Sequence, residues 1–492
     1  MLHQRTNQAR GLLLAVFLTF SFVSCKAQTL SRASSTLSLP ESASAAPQNS
    51  YAAVVSRVMP AVVTVRSDRR VRAAQQFPFF DDPFFRDFFG DRFRNAPKES
   101  PEILQRGVGS GVIVSSDGYI LTNHHVIDGG EGIKVDLSDG RTLDARVIGS
   151  DKPSDLAVLK INAANLPVLP LGDSDRVKVG DVVLAVGNPL GVGQTVTMGI
   201  ISAKGRQTGI SNGSFEDFLQ TDAAINQGNS GGALVNTKGE LIGINSQILS
   251  PTGGSIGLGF SIPSNMACNV MDQLTRTGKV RRGQLGIIVQ KVSTDIASSL
   301  GLKEARGVII SQVQAGSAAE RAGLKQGDII AALNGVAVDT PNAFRNQIAG
   351  SGPGTDVRLT ILRDDREQQI TARLGEFRPE TAENSDGATG DGVGRTNTGK
   401  LGISVEPLTP EVRSQLGLPA TTQGVLVGEV DPVGPAAHAG IERGDVIEQI
   451  NRQPLRSGTD VKTALERSSN RPALLLINRR GESLFVTVTP RA

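Results

Sequence analysis

A serine among glycines is the first stretch of this sequence whose residues could do chemistry. Ser230 lies in INQGNSGGAL (Ile225–Leu234), where small neighbours suit a nucleophile on a tight turn and expose consecutive backbone N–H groups to a developing oxyanion. Such a serine needs a general base, and the base needs an acid that orients it. Because ordinary β-turns carry the same residue types, the assignment depends on partners elsewhere in the chain.

Histidine is the usual base, and the chain has only four histidines. His3 lies in an N-terminal targeting segment and His438 on a short helix of a repeated unit, so the adjacent pair His124 and His125 in ILTNHHVI remains. A metal site is the alternative for this pair. Neighbouring residues of a strand point to opposite faces, however, and therefore rarely bind one ion.

Asp155 is the candidate acid because it precedes the apolar residues of SDLAVLKI (Ser154–Ile161). A carboxylate at this place can be partly buried, where an imidazole would satisfy its charge. A carboxylate that only caps the start of a strand is the alternative. Histidine, aspartate and serine then follow one another in the order of chymotrypsin-like proteases.

Short strands must position these residues. SGVIVSSDGYILTN alternates apolar and polar residues around a turn at Asp117 and Gly118, and similar short runs with glycine turns continue to GLGFSIP. This pattern predicts an antiparallel barrel or sandwich, and PSNMACNVMDQLTRTG predicts a helix that closes the region. At 492 residues the chain is long enough for roughly three domains.

Two copies of one pattern follow this region. GQLGI (Gly283–Ile287) precedes GSAAERAGLKQGDIIAALNG, and GKLGI (Gly399–Ile403) precedes GPAAHAGIERGDVIEQINRQ. In the first copy Ser317 and Glu320 predict a capping box at the start of a short helix, which Gly323 ends. A polar linker rich in Gly, Thr and Asp separates the copies.

The N-terminus predicts export. Arg5 and Arg10 precede the apolar segment Gly11–Val23, which is too short to span a bilayer comfortably. Two processing routes fit: FVSC resembles a bacterial lipoprotein signal with Cys25 as the lipid acceptor, and CKA resembles a small-residue cleavage site. An uncleaved membrane anchor is a third reading. Residues 28–50 are rich in Ser and Ala and are predicted to be a flexible tether.

Composition argues against several classes of function. The formal net charge of +3 includes Arg5, Arg10 and Lys26, so the rest of the chain is about neutral and carries no nucleic-acid footprint. Cys25 is removed or lipidated, which leaves Cys268 without a disulfide partner. The sequence has no Cys-x-x-Cys and no His-Glu-x-x-His motif, so we expect neither a metal ion nor another cofactor.

An aromatic insertion interrupts the first apolar runs. FPFFDDPFFRDFFGDRF (Phe77–Phe93) holds eight of the 17 phenylalanines of the chain among Asp, Arg and Pro residues. We predict that this segment makes an intersubunit or regulatory contact, because an aromatic cluster in a charged segment is costly to leave in water. A local mini-core is the alternative.

The combination of motifs resembles a known family. TNHHV, SDLAVLKI and GNSGGAL, followed by two copies of LGI … AGL/AGI … GD, are similar to the HtrA (Deg, Do-like) family of exported bacterial serine endoproteases over about residues 51–490. The resemblance implies a mainly β fold, in which a chymotrypsin-like double β-barrel protease domain is followed by two PDZ domains. It also implies ATP-independent cleavage of unfolded or damaged proteins in the periplasm, sometimes with chaperone activity.

The resemblance also implies domain boundaries and partners. The expected segments are a signal peptide at 1–27, a tether at 28–50, a protease domain at 51–278, PDZ domains at 283–376 and 399–490, and a linker at 377–398. The expected partners are unfolded envelope polypeptides, peptide C-termini and further copies of the chain in a homotrimer that can build larger cages. A lipidated Cys25 would add a membrane tether.

The residues that match the family motifs take over the family roles. His125 is implied to be the base because it directly precedes the apolar valine of the motif, whereas His124 stands where the family usually has a small or amide residue. Asp155 resembles the orienting acid and Ser230 resembles the nucleophile.

Three features around the serine follow from the same resemblance. The backbone N–H groups of Gly228 and Ser230 resemble the oxyanion hole. Ile225 is implied to line the specificity pocket, which predicts a small aliphatic side chain before the scissile bond. Gln247–Gly259 resembles a mobile activation loop, and its glycines supply conformational freedom.

The two LGI turns have their own physical role in this reading. A PDZ domain adds a peptide as an extra strand and holds its terminal carboxylate on backbone N–H groups. Arg281, Arg282 and Lys400 lie close enough in sequence to favour an anion. The predicted carboxylate-binding residues are Leu285, Gly286 and Ile287 in the first copy and Leu401, Gly402 and Ile403 in the second.

A chaperone or PDZ scaffold with a vestigial protease site is the alternative function. All three triad residue types and the oxyanion glycines are present, which favours an active endoprotease. The phenylalanine-rich insertion departs from the Gln/Gly-rich insertion of some family members.

Overall fold

A computed structural model describes residues 50–72, 102–188, 193–209, 215–377, 396–398, 400–420, 422–466 and 472–490. The signal segment with Cys25, nearly all of the tether and the insertion Phe77–Phe93 lie outside the described residues. Among the described residues, no helix is both long enough and apolar enough to cross a membrane.

The first β-barrel is closed by six strands in the order β1-β2-β3-β6-β5-β4, all antiparallel to their neighbours. Its elements are α1 (Ala52–Val58), β1 (Val62–Arg72), β2 (Glu102–Ile113), β3 (Tyr119–Thr122), α2 (His124–Ile127), β4 (Gly132–Asp136), β5 (Thr142–Asp151) and β6 (Leu156–Ile161). Inward-facing apolar residues such as Ile113, Ile120 and Leu159 are fully buried in its interior, as the period-two alternation of strands requires.

The second β-barrel is closed in the order β10-β11-β12-β9-β8-β7. Its elements are β7 (Val182–Gly187), β8 (Thr195–Arg206), β9 (Phe218–Thr221), β10 (Ala233–Asn236), β11 (Leu241–Ile248), β12 (Gly259–Pro263) and α3 (Ser264–Thr277). Helix α3 is the predicted closing helix, and it ends at Gly278 with φ 72°. Its buried face, which includes Val270 and Leu274, joins an apolar cluster with residues of both barrels. The predicted double β-barrel is confirmed.

The first repeated unit forms a separate sheet in the order β14-β15-β16-β18-β19, with β17 beside β16, while β13 pairs with β20. Its elements are β13 (Gly283–Gln284), β14 (Ile287–Lys291), α4 (Thr294–Leu300), β15 (Val308–Val313), α5 (Ala318–Arg321), β16 (Ile329–Leu333), β17 (Val336–Ala337), α6 (Pro341–Gly350), β18 (Asp356–Arg363), β19 (Arg366–Arg373) and β20 (Gly375–Glu376). The predicted cap is present at α5, because Ser317 Oγ accepts the Glu320 N–H at 3.2 Å.

The second repeated unit forms a sheet in the order β21-β22-β23-β24-β26-β27, with β25 beside β24. Its elements are β21 (Thr396–Thr398), β22 (Ile403–Pro407), α7 (Pro410–Gln415), β23 (Val425–Val430), α8 (Pro435–His438), β24 (Val446–Ile450), β25 (Gln453–Pro454), α9 (Gly458–Glu466), β26 (Ala473–Arg479) and β27 (Glu482–Val488). The last three residues of the predicted linker therefore form a strand of this sheet.

Candidate active site

His125 and Asp155 form a hydrogen-bonded pair at one end of the first barrel. His125 lies on α2 directly after β3, and Asp155 directly precedes β6, which is the neighbour of β3. The imidazole Nδ1 lies 2.9 Å and 2.8 Å from the two carboxylate oxygens, and the His125 backbone N–H donates to Oδ1 at 3.1 Å. When Nδ1 carries the proton, this contact leaves Nε2 as the nitrogen that can accept one.

The backbone around Asp155 places its carboxylate. Asp155 has left-handed backbone angles (φ 53°, ψ 39°) at the end of the short 3-10 turn Lys152–Ser154, a conformation that aspartate tolerates better than most residues. Its carbonyl oxygen accepts the His124 N–H at 3.1 Å and the Asn123 side-chain amide at 2.9 Å. These contacts tie the start of α2 to the turn, so His125 and Asp155 are fixed to one another.

Each member of the pair stabilises the charged form of the other. Partial burial works to lower the pKa of His125, but the charge of Asp155 and its hydrogen bond outweigh burial and hold that pKa above its ordinary value. Burial would raise the pKa of Asp155, but the charge and hydrogen bonds of His125, with that of Ser246, keep it below its ordinary value. The arrangement therefore favours an imidazolium beside a carboxylate, as a general base requires after it takes a proton.

His124 has different surroundings. The two histidines lie on a one-turn helix, so the prediction that they belong to a strand was wrong, and their side chains diverge because successive helical residues are about 100° apart. His124 Nε2 is 3.8 Å from a carboxylate oxygen of Asp128, and its buried Nδ1 has no hydrogen-bond partner in the described part of the chain. The two histidines do not belong to a metal site in the described part of the chain. No group of three or more His, Cys, Asp or Glu side chains among the described residues could hold a metal ion.

Ser230 lies on a glycine turn between β9 and β10 of the second barrel. Gly228 and Gly231 on either side have φ of 98° and 82°, values that favour glycine. A Cβ on Gly231 would lie 2.1 Å from the Ser110 carbonyl oxygen, so a larger residue does not fit there. The carbonyls of Gly228 and Ser230 accept hydrogen bonds from Ser110 Oγ (2.7 Å) and Ser110 N–H (2.8 Å). Strand β2 of the first barrel therefore holds the turn of the second.

The backbone N–H groups of Gly228 and Ser230 make no hydrogen bond to any described residue. Both donors are thus unused by the described residues, as an oxyanion hole requires before its ligand binds.

Ser246 on β11 connects the serine to the aspartate, and sequence reasoning missed it. Ser246 Oγ donates to Asp155 Oδ2 at 2.8 Å, and its carbonyl accepts Ser230 Oγ at 2.9 Å. No hydrogen bond joins Ser230 to His125 among the described residues. The structure therefore brings the three predicted residues to one site, with the Ser230 hydroxyl turned towards Ser246.

Ile225 and the predicted activation loop lie next to this turn. The Ile225 side chain is 1% exposed and packs in the core of the second barrel, where a Cβ on Gly259 would lie 3.0 Å from its Cδ1. The loop that joins β11 to β12 contacts the serine turn through the Ser255 N–H, which donates to Asn226 Oδ1 at 2.9 Å. A change in this loop would therefore reach the segment that carries Ser230.

The two LGI turns have the same local geometry. Gly286 and Gly402 have φ of 78° and 72°, and the preceding leucines are buried. The prediction that nearby arginines attract a peptide carboxylate does not fit their contacts. Arg281 pairs with Glu376 at 2.8 Å, and the buried Arg282 holds Asp151 through both terminal nitrogens.

Comparisons with known proteins agree with this architecture. A trypsin-like peptidase domain family matches residues 109–244, and two PDZ domain families match residues 283–374 and 426–479. The chain is 40% identical over 452 residues, 89% of each chain, to a probable periplasmic serine endoprotease DegP-like from Chlamydia pneumoniae. It is also 40% identical over 445 residues, 89% of this chain and 91% of the other, to a probable periplasmic serine protease do/HhoA-like from Haemophilus influenzae.

A solved structure is similar over most of the chain. The HtrA-type protease AlgW with tripeptide has 42% sequence identity and a TM-score of 0.55, with 67% of this chain and 98% of that chain covered. The paired barrels, the two PDZ sheets and the identity over nearly the whole length lead to one conclusion: the chain belongs to the DegP/HtrA-like family of periplasmic serine endoproteases.

Proposed function

We propose that this endoprotease uses Ser230 as its nucleophile, His125 as its general base and Asp155 as the acid that orients the base. The observation that supports these roles most strongly is the convergence on Ser246, whose hydroxyl binds Asp155 and whose carbonyl binds the Ser230 hydroxyl. Because Asp155 in turn holds His125 Nδ1, the nucleophile and the base belong to one hydrogen-bonded group.

The proposed reaction begins with a rotation of the Ser230 side chain from the Ser246 carbonyl towards His125 Nε2. The imidazole takes the hydroxyl proton as Oγ attacks the carbonyl carbon of the substrate, and Asp155 stabilises the imidazolium. The oxyanion of the tetrahedral intermediate accepts the N–H groups of Gly228 and Ser230. His125 then protonates the leaving amine, and water hydrolyses the acyl-enzyme by the same sequence of proton transfers.

The proposed substrates are unfolded or damaged envelope polypeptides, cleaved without ATP. Ile225 lies directly before the serine turn but is buried in the barrel core, and we propose that movement of the neighbouring loop Gln247–Gly259 uncovers it, so that it limits the substrate residue before the scissile bond to a small aliphatic one. Free C-termini would add as strands beside the LGI turns, where Gly286 and Gly402 hold the left-handed conformation that exposes backbone N–H groups.

Assembly and attachment complete the proposal. We propose a homotrimer that can build larger cages, with the insertion Phe77–Phe93 as a contact between copies, and lipidation of Cys25 as one route to a membrane tether. Sedimentation of the chain with and without this insertion tests the first part, and an unchanged oligomer size and rate would contradict it. Intact mass of the mature protein distinguishes lipidation from simple cleavage.

Degradation of an unfolded casein tests the catalytic roles. Ser230→Ala should lose at least about 10⁴-fold in rate, while the matched change His124→Asn, in the neighbour of the base, should leave the rate nearly intact. Equal degradation by the wild type and Ser230→Ala would refute the assignment of Ser230. The same inactive variant can be tested for suppression of casein aggregation, which measures a chaperone activity without proteolysis.

A further inference from the structure

The strands that follow the two LGI turns differ at their outer edges. In the first PDZ domain β14 is the terminal strand of its sheet, and no described strand pairs with its outer edge. In the second, β21 pairs with the outer edge of β22, so that Thr396 lies opposite Val405 and Thr398 lies opposite Ile403. The edge that a peptide would use is therefore unpaired among the described strands in one domain and paired with β21 in the other.

Strand β21 has the position and the direction of a bound peptide. A peptide whose carboxylate reaches an LGI turn must run antiparallel to the strand after the turn, with its C-terminal end nearest the turn. Strand β21 runs antiparallel to β22, and Thr398, its last residue, is opposite Ile403, the first residue after Leu401 and Gly402. It also contacts α9, the helix that lines the other side of this edge.

The residues before the two turns explain the difference. Arg281 and Arg282 occupy the positions that Asn397 and Thr398 occupy in the second copy. In the first copy these arginines are bound outside the groove, one to Glu376 at 2.8 Å and the other to Asp151 of the protease domain at 2.8 Å. The uncharged pair of the second copy cannot form such ion pairs, and the segment that contains it pairs with β22 instead.

We propose that Thr396–Thr398 is an internal ligand of the second PDZ domain, which occupies the groove for C-terminal peptides. The first PDZ domain accepts a peptide directly, whereas the second accepts one only after β21 has left. This inference rests on the proposed function of the PDZ domains as receptors for free C-termini. It adds that the two receptors are not equivalent and that the linker regulates the second.

The covalent connection makes this internal ligand a strong competitor. Only a short turn separates Thr398 from Ile403, so the effective concentration of β21 at the edge is in the millimolar range or above. A free peptide at micromolar concentration competes poorly against a tethered strand at that concentration. Release of β21, for example by a pull on the linker from a bound substrate, would open the second groove.

Peptide stoichiometry on the full chain tests the proposal. The protein carries Ser230→Ala to prevent cleavage, and the probes are fluorescein-labelled decapeptides that end in Val, Leu or Phe with a free carboxylate. Replacement of Thr396, Asn397 and Thr398 by proline removes every N–H donor of β21 and keeps the linker length. Replacement of Thr381, Ala382 and Glu383 by proline in the same linker is the matched control.

The expected result is one bound peptide per chain for the parent protein and the control, and two for the variant with prolines in β21. Gly286→Ala should remove the first of these sites in every background, because a Cβ there would lie 2.3 Å from Ser317 Cβ at a positive φ. Two sites in the parent protein, or one site in the β21 variant, would overturn the proposal. No binding by any protein would instead contradict the proposed PDZ function.

Hydrogen exchange tests the occupancy of the groove even when no peptide binds. Amides of Ile403–Val405, which pair with β21, should exchange at least about tenfold more slowly than those of the corresponding residues Ile287–Val289, with which only β15 pairs among the described strands, and the β21 prolines should remove this difference. Equal exchange of the two strands in the parent protein would show that β21 does not hold the edge, and the internal ligand would be excluded.

Discussion

The two barrels supply the active site with groups of different kinds. The first barrel contributes the side chains of His125 and Asp155, which are fixed to one another by hydrogen bonds of 2.8 and 2.9 Å. The second contributes one hydroxyl and a set of backbone groups around Gly228, Ser230 and Ser246. If the proposed roles hold, proton transfer depends on residue identity in one barrel, whereas oxyanion binding depends on backbone shape in the other.

The barrels are connected at the seam, the interface between them, where Ser110 and Ser246 each donate hydrogen bonds to the other barrel. Ser110 of the first barrel binds the carbonyls of Gly228 and Ser230, and Ser246 of the second binds Asp155. A substitution in either barrel is therefore expected to affect the other. The first barrel is tested by kcat/KM and the turn of the second by the free energy of unfolding. Substitutions on each side of the seam separate these effects.

The largest effect is expected from Asp155→Asn in the first barrel. This change keeps the shape of the side chain but removes the charge that stabilises the imidazolium, so kcat/KM for a peptide substrate should fall about 10⁴-fold. Asp128→Asn is the matched control, because that carboxylate faces His124 at 3.8 Å and should leave kcat/KM unchanged. The reverse result, a loss in Asp128→Asn and none in Asp155→Asn, would mean that the two histidines have been assigned in the wrong order.

Gly231→Ala should disrupt the backbone turn that carries Ser230. Its φ of 82° and the 2.1 Å approach to the Ser110 carbonyl oxygen combine strain with a clash, so the free energy of unfolding should fall by about 3 kcal/mol or more. Gly239→Ala has a similar φ of 80° but only an ordinary contact at 3.4 Å, and should cost about 1–2 kcal/mol. Thermal unfolding of the two variants, compared with the parent, measures the difference; equal losses would place the turn farther from Ser110.

Ser246→Ala should have a moderate effect, because it removes the hydrogen bond that the second barrel donates to Asp155. The carbonyl that binds Ser230 Oγ remains, but the hydroxyl that donates to Asp155 at 2.8 Å is lost. Since a hydrogen bond to a charged group contributes about 1.5–3 kcal/mol, kcat should fall by about tenfold to a hundredfold. Steady-state kinetics check this value, and an unchanged kcat would show that Asp155 is oriented by the first barrel alone.

The pH dependence of kcat/KM should show the smallest effect, and it depends on the His125–Asp155 pair of the first barrel. Because Asp155 holds the pKa of His125 above 6.5, the protonated, inactive form persists to higher pH, and kcat/KM should rise with pH to a midpoint above that value. Below the midpoint the rate should fall about tenfold per pH unit. His124→Asn should leave the profile unchanged, and a midpoint below 6.5 would contradict the pairing with Asp155.

The candidate triad and the glycine turn could be predicted from sequence, but the contacts that hold them together could not. His125, Asp155 and Ser230 are recognisable because few histidines exist and because the acid and the serine stand in distinctive surroundings. Ser110 and Ser246 carry no local signal, since their importance arises only when β2 and β11 meet the serine turn. Contacts between distant segments depend on the closure of both barrels.

Hydrogen bonds, ion pairs and strand pairing that the sequence does not reveal explain where the structure differs from the predictions. The histidine pair lies on a helical turn because Asp155 accepts the first N–H of that turn, a contact across 31 residues. Arg281 and Arg282 form ion pairs with carboxylates of the same chain, Glu376 and Asp151, and are therefore not free to bind a peptide carboxylate. Strand β21 was expected to be linker because polar residues rich in threonine and glycine give no strand signal without a partner edge.

Covalent labelling with a fluorophosphonate tests whether Ser230 is the nucleophile and His125 its base, since this reagent reacts with a serine activated by a neighbouring base. We expect one label per chain on the peptide that contains Ser230, with labelling retained in His124→Asn and lost in His125→Ala. A label on another serine, or equal labelling of Ser230 in His125→Ala, would contradict the proposed catalytic site.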